Sequence, residues 1–446
     1  MNDARESGVC IRHEDEEVTR RIRMTAGMLE IIVSRGNMMA ALKRVRANKG
    51  SHGIDGMTVD VLPAYLSIHW PTIRQELLEG TYVPHPVRRV EIPKPDGGVR
   101  LLGIPTVVDR LIQQAVAQIL SPVFEGGFSA HSYGFRPGRS AHDAVRAARE
   151  NVQAGHSWVV DIDLEKFFDR VNHDKLMARV ARKIADRRVL SLVRRYLESG
   201  VLVNGMKVAS DEGTPQGGPL SPLLANIMLD DLDRELGKRG HRFCRYADDC
   251  NIYVKSKRAG ERVMRSIGRY IGERLSLKVN ERKSAVDRPW NRRFLGFSFY
   301  RRKGEIRIRI HSKSVGRVKD KIRSVTNRNR SMCMEERLTR LNQITMGWIN
   351  YFGMADAKWL LRSLDEWMRR RIRACFWKQW KRIGTRHDNL VRLGVNDSHA
   401  WEWANTRKGY WRIAGSWILS TTLTNEHLEV LGFNSLLSRY PELKYS

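Results

Sequence analysis

Long apolar runs are missing from this 446-residue chain, and with them any segment able to cross a bilayer as a helix, which takes about 20 consecutive apolar residues. Cysteine is scarce: Cys10, Cys244, Cys250, Cys333 and Cys375 are odd in number, scattered, and form no CxxC pair. That excludes a disulfide framework and points to a reducing compartment. Cys244 and Cys250 have no third or fourth soft ligand near them in sequence, so packing rather than zinc accounts for them. There is no repeat of fixed period and no low-complexity tract. Acidic residues are outnumbered, 49 Asp plus Glu against 79 Lys plus Arg, for a formal charge of +30. An imbalance of that size implies a polyanionic partner, by default nucleic acid. A membrane surface would instead call for an apolar span or a basic amphipathic helix at the interface. The opening stretch MNDARESGVCIRHEDEEVTRRIR has charges of both signs and no apolar core. It therefore reads as a mobile leader over 1–24, neither signal peptide nor anchor.

What is present divides the chain. The pattern predicts a helix from about Met24 to Ala47, then the glycine-rich loop NKGSHGIDG. A hairpin follows around Pro95-Asp96-Gly97-Gly98, where apolar and basic residues alternate on both sides. A helix begins near Asp109, a strand covers 156–164 (HSWVVDIDL), and a long helical stretch runs from Asn172 to about Leu197. Helices at about 220–236 and 259–275 flank a second hairpin, FCRYADDCNIYV. Strand signals largely stop after about Ser312, and basic amphipathic helices rich in tryptophan take over. This places a domain boundary near 305–315, with an α+β body before it and a helical basic module after it. A weaker break lies near 385–395, and the last fifty residues are Trp-rich without further signal.

Two carboxylate features stand out. Asp248 and Asp249 fall at the turn of the FCRYADDCNIYV hairpin, where adjacent like charges repel unless a cation lies between them. Taken alone, the tetrapeptide also fits a solvated turn, which favours Asp for its local hydrogen bonds. In HSWVVDIDL, alternation puts Asp161 and Asp163 on one face and Val160, Ile162 and Leu164 on the other. This fits carboxylates looking from an apolar-backed sheet into a cleft, and also the solvated face of an edge strand. Beside the Asp248-Asp249 hairpin, such a strand would complete a Mg²⁺ site, since Mg²⁺ is commonly held by one or two carboxylates plus substrate phosphates. Two such ions about 3.5–4 Å apart can stabilise the attacking and leaving oxygens of a displacement at phosphorus. In a very basic protein that suggests nucleotidyl transfer.

The motifs also carry a resemblance. YADD preceded by Arg245, together with DLEKFFDRVNH, GTPQGGPLSPLLANI, IPKPDGGVRLLGIP, HSYGFRPGRSAHDAV, LKVNERKS and FLGF, follows the order found in reverse transcriptases of group II introns. GWINYFG at 347–353 and the basic helix after it look like the maturase-specific thumb of that family. The match runs over about residues 25–390, and seven motifs in order make chance implausible.

The resemblance implies an α+β right-hand polymerase. An N-terminal extension and fingers would occupy 25–105, the remaining fingers and palm 106–308, and a helical thumb or maturase-specific domain 309–390. A short helical DNA-binding segment would fill 391–446. It implies two Mg²⁺ ions held by Asp163, Asp248 and Asp249, with Asp161 as the runner-up ligand. Phe168, five residues after Asp163, would be the steric gate that rejects a 2′-hydroxyl, with the adjacent Phe167 in the core. Lys94 and Arg100 would hold the triphosphate of the incoming nucleotide, Arg as a planar fork and Lys as a point charge. Gln216 would pack against the nascent base pair, with Gly217 and Gly218 allowing close backbone approach. Lys283 is a nucleotide-proximal position and Gly296 a primer-gripping one. Tyr133, Phe135, Arg136 and Tyr246 belong to segments that contact nucleic acid, although aromatics there also suit a core.

The implied partners are an RNA template, intron RNA, a DNA primer or target, and deoxynucleoside triphosphates (dNTPs), with no membrane; a homodimer stays open. The implied place is the bacterial cytoplasm, on the nucleoid when bound to DNA. Of the aromatics interleaved with basic residues, Trp348, Tyr351, Trp359, Trp367, Trp377 and Trp380, most are expected in helical cores. No cysteine follows Cys375, so the expected relatives are the short, endonuclease-lacking, class C-like members, which would borrow a host primer. The alternatives are an intron-free host reverse transcriptase in repair or phage defence, and a non-catalytic RNA-binding splicing factor.

Overall fold

The computed structural model describes residues 27–93, 97–203, 206–208, 212–214 and 217–444. The leader 1–24, Lys94 and Gln216 lie outside the described residues. The chain forms two compact units, Met1–Arg288 and Pro289–Ser446.

The first unit opens with helices α1 (Met28–Ile32), α2 (Arg35–Ala47) and α3 (Leu62–Glu79), then strands β1 (Val87–Pro93) and β2 (Val99–Ile104). Helices α4 (Val107–Glu125) and α5 (Ala141–Gln153), strand β3 (Trp158–Ile162), and helices α6 (His173–Ala181) and α7 (Arg187–Glu198) follow. Strands β4 (Val201–Val203) and β5 (Met206–Val208), helix α8 (Ser221–Lys238), strands β6 (Arg242–Tyr246) and β7 (Asp249–Val254), helix α9 (Lys257–Leu275) and strand β8 (Ala285–Asp287) complete it.

Two predicted helices are each split in two. The 24–47 stretch breaks at Ser34, which is extended, and the Asn37 side chain donates to the freed Ile32 carbonyl at 2.7 Å. The 172–197 stretch breaks before Asp186, whose carboxylate accepts from the Arg188 amide at 2.9 Å and from the Leu29 amide at 3.1 Å. One carboxylate thus satisfies orphan amides at the starts of two helices, which their dipoles favour.

Two sheets result. In the order β2-β1-β4-β5, β1 pairs antiparallel with β2 and parallel with β4. In the order β6-β7-β3-β8 every pairing is antiparallel. The alternation read from the sequence holds in β3: Val160 and Ile162, with Leu164 beyond the strand, are buried in the main core beside Ile252, Val254 and the α9 residues Val263, Ile267 and Ile271. Helix α9 lies close on this face because Gly260 has no side chain; a Cβ there would stand 2.5 Å from Val286 Cγ1. The opposite face carries Asp161 beside Val159, Cys244, Asn251 and Tyr253, and the last four are buried as well.

The second unit begins with the hairpin β9 (Phe297–Arg302) and β10 (Glu305–Ile310). Helices α10 (Ser312–Val325), α11 (Met334–Phe352), α12 (Lys358–Gln379), α13 (Ile383–Arg392), α14 (Asp397–Ala404), α15 (Tyr410–Ala414), α16 (Trp417–Thr422), α17 (Asn425–Val430) and α18 (Leu436–Lys444) follow. The division at Arg288 falls ahead of the change in composition near 305–315. Its cause is aromatic packing, because Phe297 of β9 stands 5.5 Å from Tyr351 and 5.0 Å from Phe352, ring to ring, so the hairpin belongs with the helices. Trp377 and Trp380 are buried with Leu390, Ile413 and Leu419 in a separate core, as expected for aromatics of a helical module. Trp359, 80% exposed, is one of the aromatics outside the cores. Asp365, buried on α12, accepts from the amides of Leu436 and Leu437 at 2.9 Å and thereby caps α18. Among the described residues no helix is long and apolar enough to cross a membrane.

Candidate active site

The β6–β7 register pairs Tyr246 with Asp249, so Ala247 and Asp248 make the turn and Asp249 opens β7. Ala247 adopts φ +57, a left-handed conformation that costs energy without glycine. The surrounding protein holds it there. Arg245 Nη1 donates to the Ala247 carbonyl at 2.9 Å. From the other side the backbone of Gly134 lies so close that a Cβ would stand 2.3 Å from the Ala247 amide nitrogen.

Arg245 is fully buried and has an acceptor on each guanidinium nitrogen. Nε and Nη2 donate to the two carboxylate oxygens of Asp233 at 2.7 and 2.6 Å. Nη1 also reaches Asn226 Oδ1 at 3.1 Å, and Nη2 reaches Ser132 Oγ at 2.7 Å. Burial opposes the charge, but the pull of Asp233 prevails and holds Arg245 above the ordinary arginine range. Asn226 in turn donates to the Gly134 carbonyl at 2.9 Å. Helix α8, the segment 131–136 and the YADD turn are thus bound into one polar knot.

Asp163 lies just past the end of β3. Its amide donates to Ser284 Oγ at 3.0 Å and its carbonyl accepts from the Asn280 amide at 2.8 Å, so the segment before β8 fixes its backbone. Its carboxylate stands 3.7 Å from Lys283 Nζ. Burial pushes the Asp248 carboxyl up, a backbone hydrogen bond opposes this, the charge of Asp163 raises it further, and Arg100 and Lys283 pull it down. Three residues singled out from the sequence, Arg100, Asp163 and Lys283, are therefore brought within electrostatic reach of a fourth, Asp248. Asp161, opposite Asn251 in the ladder, instead bears on the buried Cys250 and Tyr253. Asp249 is exposed.

The remaining candidates divide between the core, the surface and the second unit. Phe167 is 2% exposed and lies in the main core, while Phe168, edge-on to it at 5.1 Å, is half-buried and packs against that core. Gly217 has φ +132, and a Cβ there would stand 2.8 Å from the Gly103 carbonyl oxygen, which is the close backbone approach its type allows. Tyr246 is half-buried. Tyr133 is buried, with its amide donating to the Arg245 carbonyl at 2.9 Å. Arg136 is buried too, bridged to Glu125 at 2.7 Å and donating to the carbonyls of Ser129 and Ser132, whereas Phe135 is 50% exposed. Gly296, in the second unit, takes φ +87 in the tight turn between Phe294 and Phe297, and a Cβ there would stand 3.0 Å from the Phe352 ring.

Sequence reasoning assigned no role to Arg245, Asp233, Asn226 or Ser284. Arg245 was visible as the residue before YADD, but Asp233 lies on a helix with nothing local to mark it.

A buried Asp248 carboxyl whose proton affinity the charge of Asp163 raises, with cationic side chains nearby, suits a hard divalent cation and phosphate oxygens. Among the described residues no three Asp, Glu, His or Cys side chains close into a ready-made metal cage, so substrate phosphates would have to supply further ligands.

The chain is similar to known proteins. Residues 92–299 match the reverse transcriptase (RNA-dependent DNA polymerase) family, and residues 315–394 match the group II intron maturase-specific domain. Protein YkfC of Escherichia coli (strain K12) is 34% identical over 299 residues, covering 58% of this chain and 78% of its own length. The group II intron-encoded protein LtrA of Lactococcus lactis subsp. cremoris is 40% identical over 195 residues, covering 44% of this chain and 32% of its own. A 91 kDa protein in the cob intron of Schizosaccharomyces pombe is 35% identical over 211 residues, covering 46% of this chain and 25% of its own. The matched region is about a third or less of the length of these two intron proteins. With a right-hand polymerase domain followed by a maturase-specific domain, the chain belongs to the family of group II intron reverse transcriptases and maturases.

Proposed function

We propose that this protein is an active RNA-directed DNA polymerase that extends a DNA primer on an RNA template with dNTPs, and that it binds intron RNA to assist splicing and mobility. The observation that carries the first part is the meeting of Asp163 and Asp248 with Arg100 and Lys283. A fold gains nothing from setting the charge of Asp163 beside a buried Asp248; a site for a cation and a triphosphate does.

In this reading Asp163, Asp248 and Asp249 hold two Mg²⁺ ions. When bound, these would lower the barrier to in-line displacement by stabilising the attacking and leaving oxygens. The primer 3′-oxygen forms a bond to the α-phosphorus, its proton passes to water, and the bond from that phosphorus to the bridging oxygen breaks to release pyrophosphate. Arg100 and Lys94 grip the triphosphate, Lys283 offsets charge beside Asp163, Phe168 excludes a 2′-hydroxyl, and Gln216 packs on the nascent pair. Tyr133, Phe135, Arg136 and Tyr246 lie along the nucleic-acid track, and Gly296 contacts the primer. Residues up to 308 serve as fingers and palm, 309–390 as thumb, and 391–446 as a DNA-binding segment. The place of action is the cytoplasm, where template, primer and dNTPs meet. The maturase role has its support in the match over residues 315–394.

The test is extension of a DNA primer on an RNA template with dNTPs and Mg²⁺, comparing wild type with Asp248→Ala. Extension by wild type alone is expected. Near-equal extension by both proteins, or tight binding of structured RNA with extension by neither, would overturn the polymerase assignment.

A further inference from the structure

The second unit contains a concentration of positive charge that its own carboxylates do not balance. Between α10 and α11 the chain reads Asn327-Arg328-Asn329-Arg330. This loop is built on a buried arginine: Arg337, 2% exposed, donates to the carbonyls of Val325, Asn327 and Arg330. Its shape is therefore set by the interior, while Arg328 and Arg330 stay exposed.

Arg328 lines two cavities, of about 390 and 640 Å³. Arg323, Arg371 and Trp411 share the first with it, and Arg330, Arg337 and Lys378 the second. No acidic residue lines either cavity. The cations are instead held in pairs on aromatic faces. Arg323 and Arg371 lie 5.6 and 5.2 Å from the centre of the Trp367 ring, and Arg328 and Lys378 both lie 5.1 Å from that of Tyr410. Cation–π contacts of this kind place like charges side by side without neutralising them. Arg371 is anchored by its Nε, which donates to Thr326 Oγ1 at 2.5 Å; burial, together with the charges of Arg323 and Arg328, pushes it below the ordinary arginine range. Arg323 also pairs with Asp320, at 2.5 Å, outside the lining. Guanidinium groups converging on a concave, carboxylate-free surface match the geometry of phosphate oxygens.

We propose that the two cavities form one phosphodiester site, taking neighbouring phosphate groups of a nucleic-acid backbone, with Arg328 shared between them. Of the amide side chains in the lining, Asn327 accepts from the Asn329 amide and Gln379 donates to the Met332 carbonyl, which leaves the cations to position the backbone. The inference rests on the nucleic-acid-binding role proposed above, and it assigns that role to a discrete place.

The test is fluorescence anisotropy of the full chain with a labelled RNA duplex, and with a DNA duplex of the same sequence, over a salt series. Arg323→Gln/Arg328→Gln removes two exposed cations of the site. Arg262→Gln/Arg269→Gln removes two exposed cations of α9 as a charge-matched control. If the site holds phosphates, the first pair lowers the slope of log affinity against log salt by about 2, and the control lowers it by less than about 1. A loss confined to the RNA or the DNA duplex identifies which nucleic acid the site serves, and a loss with both identifies their common backbone. Equal effects of the two pairs, or no effect of the first, would overturn the site while leaving the polymerase reading standing. Failure of the wild type to bind either duplex would remove both.

Discussion

Arg245 grips both carboxylate oxygens of Asp233, at 2.7 and 2.6 Å, where neither side chain has any exposed surface. The same guanidinium donates to the carbonyl of Ala247, the residue before Asp248. A buried pair is weak evidence for stability, because desolvation offsets most of the attraction. Its use here is positional: it ties a strained turn to helix α8 and so fixes where the Asp248 carboxylate can be.

Position and stability can be separated by mutation. Arg245→Met alone should destabilise by about 3–5 kcal/mol, because Asp233 is left buried and unpaired. Arg245→Met/Asp233→Leu should recover most of that loss in urea denaturation, since apolar replacements of buried pairs are often neutral. Primer extension should stay low in the double variant, with kcat lowered more than the KM for dNTP, because the Ala247 carbonyl still lacks its donor. Full recovery of kcat along with stability would show that the pair serves packing alone.

The raised proton affinity of Asp248 makes a prediction of opposite sign for stability and activity. Below the ordinary aspartate range the side chain is neutral both folded and unfolded, and its burial costs little. As pH rises through the elevated folded pKa, the fold must carry a charge it disfavours, so stability falls. Asp248→Asn should therefore melt a few degrees higher than wild type at neutral pH without divalent cations, the difference closing in acid. Mg²⁺ should raise the melting temperature of the wild type but not of the variant, and the variant should not extend a primer. An equal Mg²⁺ response in both would remove Asp248 from the ion site.

How much of this was legible in the sequence depended on range. The alternation in HSWVVDIDL set the buried Val160 and Ile162 apart from the acidic face, and the spacing of YADD marked its turn, because period-two patterning and turn chemistry are local. The ladder then distinguished Asp163 from Asp161 by a feature the strand alone lacks: Asp163 lies beyond the pairing, next to Lys283. The Arg245–Asp233 pair spans a strand and a helix and left no periodic trace. The helix break at Asp186 was missed for a similar reason, since one amide its carboxylate accepts, that of Leu29, lies in α1 far off in sequence; the break at Ser34 rests on the nearby Asn37, which the apolar periodicity masked.

Gly134 probes the same turn sterically. A methyl group at this position would stand 2.3 Å from the Ala247 nitrogen and 2.9 Å from the Tyr246 carbonyl carbon, both backbone atoms that cannot rotate away. Gly134→Ala should cost about 1–3 kcal/mol in urea denaturation, as overpacking does, and should lower kcat through displacement of Asp248. Unchanged stability and kcat would mean that the segment 131–136 yields freely and does not position the turn.

Phe168 allows a test that separates a gate from a core residue. Its neighbour Phe167 is 2% exposed inside the main cluster, whereas Phe168 packs against that cluster and is only half-buried. A ring that acts by filling the space of a 2′-hydroxyl should, when cut back to Ala, admit ribonucleotides without unfolding the protein. The preference for dNTP over rNTP in kcat/KM should then fall by roughly 10- to 200-fold, the range in which pocket shape discriminates small groups. Phe167→Ala should instead destabilise by about 3–5 kcal/mol, as large aromatic truncations in cores do, with sugar preference unchanged in the folded fraction. If Phe168→Ala lost stability like its neighbour and kept its sugar preference, the ring would be a core residue and the gate would lie elsewhere.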